Sequence, residues 1–332
     1  MQKVRKSNIE LMRIIAMLFI ISHHFLTHGM NILENENWSN FGLLSINSIC
    51  YIGVNVFVLI SGYCGIRFDW KKLLQLYLLT AIIGGICYIA HLFMSDMSLG
   101  RSIIYHTVFS ISHANTWFIK IYIYLFMLSP IINAALQSFD QHKIKVAIIL
   151  LTIISAYFGW FWQDDINSDG CNVINFIWIY CIGYYLSHFF DVKKIKPIIY
   201  CITWIVSAIL NAFMAVTIES YMAWTYSNPL VVISAISFFL FLLSFDFYSK
   251  AINTLATCTL GVYLIHENRH LADIVYGEQL SQFYSNSCVT FILSVLSLYL
   301  ICSLLDYMIR KLLVSPLYNV ITRLSDKLIK TH

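Results

Sequence analysis

Arg13 and His24 are the first residues of this 332-residue chain whose types and spacing could do chemistry together. Both lie inside one apolar run, MRIIAMLFIISHHF, residues 12–25. Eleven positions separate them, which on an α-helix is about three turns plus 20°. The spacing predicts a shared helix face, with guanidinium and imidazole about 16 Å apart along the axis. His23 points about 80° away, whereas His28 sits about one turn above His24 on nearly the same face. An imidazole titrates near neutrality and suits removal of a proton from a hydroxyl. Two structural readings compete. Arg13 can snorkel to the interface from the start of its helix, and His24 can hydrogen-bond a neighbouring helix. Ionisable groups at membrane depth are by default functional, which favours chemistry.

The elements that must hold these residues are membrane helices. The chain is 59% hydrophobic and 11% charged, against about 25% charged in soluble proteins. The apolar residues form long runs at roughly 9–28, 42–64, 72–94, 116–137, 143–162, 172–190, 195–217, 228–248, 252–266 and 286–314. The fold class expected is an all-α polytopic membrane protein with about ten transmembrane helices. Lys3, Arg5 and Lys6, then Arg67, Lys71 and Lys72, then Lys143 and Lys145, then Lys193, Lys194 and Lys196, then Lys250, and finally Arg310 and Lys311 fall in alternate loops. The other loops carry Glu34, Glu36, Asp164, Asp165, Asp169, Glu219, Glu267 and Glu278, with only Arg101 and Arg269 breaking the pattern. The positive-inside rule then places both termini in the cytoplasm and the chain, as a multi-pass protein, in the cell membrane. The net charge of +4 follows from those loops and implies no nucleic-acid partner.

Residues 1–315 read as one transmembrane domain, and residues 316–332 as a basic amphipathic tail on the membrane surface. Ser7-Asn8-Ile9-Glu10 has the pattern of a capping box opening a retained first helix, and no signal-peptide cleavage site is evident. The nine cysteines have no ligand-like spacing and read as packing residues.

Several motifs together resemble a family. Arg13, ten intervening residues and His24 match the signature of the acyltransferase-3 family of integral membrane acyltransferases. Gly53 to Tyr63 (GVNVFVLISGY) looks like its second-span motif. Arg67, Lys71 and Lys72 are similar to its cytoplasmic basic cluster. Thr116-Trp117-Phe118 through Tyr122, Tyr124 and Pro130 is similar to its tryptophan-bearing span, and Leu260 to His266 (LGVYLIH) resembles its late GxYLIH element. The resemblance covers essentially the whole chain. It implies transfer of an acyl group, most often acetyl, from cytoplasmic acyl-CoA to a hydroxyl of a surface polysaccharide or lipid-linked glycan. On that reading His24, Arg13 and His266 are catalytic, and Arg67, Lys71 and Lys72 hold the CoA phosphates. Trp117, Asn55 and Tyr122 face the acceptor, acetyl-CoA or another acyl-CoA is the donor, and no metal is used. A belt position also accounts for Trp117, which follows His113 and Asn115.

The chain departs from the pattern in two places. Asn55 stands where many members have Asp. Lys120, Tyr122 and Tyr124 stand where many have paired glutamates, so the resemblance assigns no carboxylate to orient His24. Nor is an appended esterase-like domain expected. His266-Glu267-Asn268-Arg269-His270 also fits HExxH, the zinc-metalloprotease pattern. Arg269 beside a dication argues against it, and a third ligand would have to come from Asp273, Glu278 or beyond. A glycan or lipid transporter, its polar face lining a path, is the other alternative.

Overall fold

The computed structural model describes residues 5–95, 100, 102–109, 111, 117–164, 169–218 and 220–330. Lys3, Arg101, His113, Asn115, Thr116, Asp165 and Glu219 lie outside the described residues, as does the side chain of Asp273. No strand occurs among the described residues. The principal helices are α1 (Ser7–His24), α2 (Phe41–Tyr51), α3 (Gly53–Cys64), α4 (Trp70–Met94), α5 (Trp117–Ser138) and α6 (Gln141–Thr152). They are followed by α7 (Val173–Phe189), α8 (Pro197–Thr217), α9 (Pro229–Leu243), α10 (Thr259–His266), α11 (Cys288–Ile309) and α12 (Ser315–Lys330). Seven stretches among the described residues are helical, long and apolar enough to cross a membrane, and α7 and α9 are shorter apolar helices. The weakest expected span, 252–266, is interrupted: Lys250–Leu255, a 3₁₀ turn Ala256–Cys258 and α10 replace one continuous helix. Ile131, Ile149, Leu300 and Leu304 are all exposed, as helices bathed in lipid require.

The chain folds as two compact units. The first, Met1–Arg67 with Tyr124–Ala256, contains α1–α3 and α6–α9 and most of α5. Within it α1 runs antiparallel to α2 and α3: His23 meets Asn47 and Tyr51, while Ala16 and Ile20 lie against Gly53. Backbones approach most closely between α3 and α7. A Cβ on Gly62 would fall on the Tyr180 backbone, and one on Gly183 on the Leu59 carbonyl. Small residues at a membrane helix crossing permit this proximity. Phe19, Trp204 and Phe238 fasten α1, α8 and α9, with ring centroids 4.8–5.9 Å apart. Pro130 lies inside α5 and cannot donate to the Phe126 carbonyl. The Ser129 hydroxyl donates to that carbonyl instead, at 2.7 Å.

The start of α1 corrects one expectation. No side chain caps it. The Ser7 hydroxyl is held by the distant segment 249–253, donating to Asn253 Oδ1 at 2.9 Å and accepting from Ser249 N–H at 2.8 Å. Asn8 Nδ2 donates to the Phe245 carbonyl at 2.7 Å. Glu10 is turned to Arg13. The capping-box pattern is therefore spent on tertiary anchoring.

The second unit, Phe68–Ile123 with Thr257–His332, contains α4, the start of α5, and α10–α12. Here α10 lies against α11 at Gly261, where a Cβ would fall on the Asp306 side chain. From Cys288 to Lys330 the helix is unbroken, passing through a π turn at Arg310–Val314 and then Pro316. The proline ring opposes the carbonyl four residues back, Leu312, within that widened turn. The expected tail at 316–332 thus begins as a continuation of the last apolar helix.

Candidate functional site

His24 is the last residue of α1 and is buried. The helix changes character there: Phe25–Gly29 is a π turn, closed by Met30 N–H donating to the Phe25 carbonyl at 2.9 Å. Widened turns of this kind recur at functional sites. The His24 ring centroid is 5.3 Å from that of His23 and 5.2 Å from that of His28. The three imidazoles form a ladder from half-buried His23 through buried His24 to exposed His28.

His23 is oriented by Asn47, whose Oδ1 lies 2.7 Å from His23 Nδ1. The His23 ring also meets Tyr51 edge-on at 5.1 Å. Tyr51 stacks on Tyr226 at 4.6 Å and 6°, and its hydroxyl donates to the Trp224 carbonyl at 2.6 Å. Trp224 Nε1–H donates to Glu36 Oε1 at 2.9 Å. Asn228 Nδ2 donates to Asn211 Oδ1 at 2.6 Å, and Asn211 Nδ2 to Ser48 Oγ at 3.0 Å. A hydrogen-bonded aromatic and amide cluster thus fixes residues 222–228 beside the end of α1.

Asn55 belongs to that scaffold. It is fully buried, and its Nδ2 donates to the Tyr226 carbonyl at 3.0 Å. An aspartate at this position would set a carboxylate against the carbonyl. Asn55→Asp, although it restores the residue common in the resembling family, is therefore expected to destabilise the protein by about 1–3 kcal/mol. Thermal unfolding of detergent-purified protein checks this, and an unchanged midpoint would show that Asn55 does not hold the Tyr226 segment.

Arg13 is bound to Glu10, Nη1 to Oε1 at 2.9 Å, with Glu10 buried and the Arg13 side chain 31% exposed. Arg67 follows buried Ile66 and is exposed. Cys171 lies outside the apolar spans, and burial, reinforced by the Asp169 carboxylate, pushes its thiol up to about 12. It stays protonated near neutrality and is a poor nucleophile.

In the second unit, Lys71 and Lys72 occupy the first turn of α4, whose N-cap Asp69 accepts from Lys71 N–H at 2.9 Å. Lys71 Nζ lies 5.8 Å from the Trp70 ring centroid. Trp117 opens α5 edge-on to Phe118, which stacks on Tyr122 at 5.8 Å and meets Tyr263 at 5.3 Å. His266 ends α10 and is fully buried. Its Nδ1 lies 2.7 Å from the Val262 carbonyl. A carbonyl only accepts, so Nδ1 carries a proton. The HExxH reading fails here on geometry: α10 stops at His266. His270 therefore shares no helix with it, and its ring meets Tyr88 at 5.2 Å and His91 at 5.1 Å.

Sequence reasoning missed one buried acid. Asp306 is fully buried in α11, under Gly261, and accepts from Arg310 Nε–H at 2.7 Å. The i,i+4 spacing of an acid and a base at the end of an apolar run was the available signal. This pair explains the glycine of the LGVYLIH element, since any side chain there would displace the carboxylate.

A family model described as an acyltransferase domain, that of the acyltransferase-3 family, matches residues 6–307. No curated protein and no solved structure matches the chain.

Proposed function

The chain belongs to the acyltransferase-3 family and is a membrane acyltransferase, and from that premise we propose that it moves an acetyl group from cytoplasmic acetyl-CoA to a hydroxyl of a surface polysaccharide or lipid-linked glycan. The observation that carries the reading is His24: a buried imidazole at the end of a membrane-length helix, inside the matched region, one π turn from exposed His28. His24 takes the proton of the acceptor hydroxyl as its oxygen bonds to the thioester carbonyl carbon. The carbon–sulfur bond then breaks, and the departing thiolate takes up a proton as the free thiol of CoA. Arg13, held by Glu10, supplies positive charge on the donor side. Arg67, Lys71 and Lys72 each offer a cation to the CoA phosphates. His266 is the second candidate base, and Trp117 and Tyr122 offer aromatic faces to a sugar. Both termini are cytoplasmic in this reading, and about ten segments cross the plasma membrane.

Mass spectrometry of surface glycans from cells with and without the protein tests the proposal. The expected result is a mass difference of one acetyl group per modified sugar, together with label transfer in isolated membranes that requires acetyl-CoA. Movement of unmodified glycan without any acyl-CoA would overturn it in favour of a transporter.

A further inference from the structure

We infer that Tyr180 and Asn133 are positioning residues for Arg67, presenting it as an anion-binding arm for the phosphates of CoA; this rests on the donor assigned above. The segment that follows α3 is built to hold one shape. Gly65 has φ +73°, a left-handed conformation open to glycine. Ile66, next in the chain, is buried, and both of its backbone polar groups are taken by side chains of other helices. Its N–H donates to the Tyr180 hydroxyl at 3.0 Å. That hydroxyl donates to Asn133 Oδ1 at 2.7 Å. Asn133 Nδ2 closes the ring by donating to the Ile66 carbonyl at 2.7 Å. Three elements, the end of α3, α5 and α7, thus converge on one residue.

The bonds run round the ring with each acceptor matched to a donor, so neither side chain can rotate without losing two of them. Tyr180 is fully buried and its backbone is locked against Gly62, so the ring has a rigid base. With Ile66 pinned, Arg67 is forced outward and is exposed. Burial of Ile66 by itself requires only that its N–H and C=O be paired; it does not require that both partners be side chains anchored on two different helices. A loop that presents a guanidinium at a fixed place does require it, because pre-ordering the chain removes an entropic cost from binding.

The test uses full-length, detergent-purified protein, equilibrium binding of free CoA, and initial rates over a range of acetyl-CoA concentrations. Tyr180→Phe keeps the ring and removes only the hydroxyl. The expected result is a rise of about five- to tenfold in the Kd for CoA and the KM for acetyl-CoA, the size of one charge-assisted contact. The value of kcat should stay within about twofold. Asn133→Ala, which acts on the same ring from α5, should give the same pattern. Arg67→Ala should weaken CoA at least as much, and adding Tyr180→Phe to it should weaken CoA no further. A fall in kcat at constant KM, or a full additional loss in the double variant, would assign Tyr180 to general structure and overturn the inference. Absence of CoA binding by the unaltered protein would overturn the donor assignment as well. Normal CoA binding by the unaltered protein with no change in Tyr180→Phe and Asn133→Ala would overturn the positioning role alone.

Discussion

His24→Ala is expected to lower acyl transfer at least about 100-fold, the smaller end of what a positioned general base contributes, while the protein still inserts and folds. The fold has anchors on α1 apart from this ring. Helix α1 is fixed at its start by Ser7 and Asn8 and along its length by the contact of Ala16 and Ile20 with Gly53. The His24 ring meets His23 and His28 of its own chain segment. His23→Ala supplies the contrast. His23 bonds Asn47 and meets Tyr51, so its loss should loosen the scaffold and lower the unfolding temperature, with transfer reduced but not erased. The measurements are acetyl transfer in membranes and thermal unfolding of both purified variants. Full transfer by His24→Ala would remove the base from the mechanism. Equal loss in both variants, accompanied by equal destabilisation, would show that the histidines act on the fold.

Periodicity made the helices and two of the candidate residues legible. Apolar runs and loop charges pointed to membrane helices, and the eleven-residue spacing singled out Arg13 and His24 because a helix repeats every 3.6 residues. Departures from regular repeat were not legible. The π turn after His24 differs from an α turn by one position in its bonding, and hydropathy carries no trace of that. Ser7 and Glu10 looked like a cap because the capping pattern is local, whereas the group that captures the Ser7 hydroxyl lies 246 residues away. The HExxH pattern is a decoy for a related reason: its meaning depends on a helix continuing past His266, and α10 stops there. Asp306 stands at the end of an apolar run, where its spacing to Arg310 was the one local signal, and the glycine it packs under becomes visible only in the fold. The ring formed by Ile66, Asn133 and Tyr180 joins residues 47, 67 and 114 positions apart, so neither periodicity nor motif could assemble it. Loose motifs such as SGY and LGVYLIH acquire physical content once their glycines are seen to admit Tyr180 and Asp306.

Gly62→Ala is the substitution expected to disturb the first unit most. The added methyl would meet the carbonyl oxygen, carbonyl carbon and Cα of Tyr180, which are backbone atoms and cannot rotate aside. Gly183 makes the reciprocal approach, its own Cβ position falling on Leu59 and Tyr63 backbone, so α3 and α7 have no slack on either side. Overpacking at such a contact costs about 1–3 kcal/mol, and more where the obstructing atoms are backbone. Separation of the helices must also carry Tyr180 away from Ile66, breaking the bonds that pin the residue before Arg67. Two losses are therefore expected together: a lower unfolding temperature, and weaker CoA binding than destabilisation alone produces. Gly42→Ala is the matched control, because its added methyl meets nothing within 4 Å, and it should leave both quantities unchanged. Thermal unfolding and CoA titration of the two purified variants decide the matter. Normal stability in Gly62→Ala would mean that α3 and α7 are not in backbone contact. Lowered stability with unaltered CoA affinity would uncouple this crossing from the Arg67 segment.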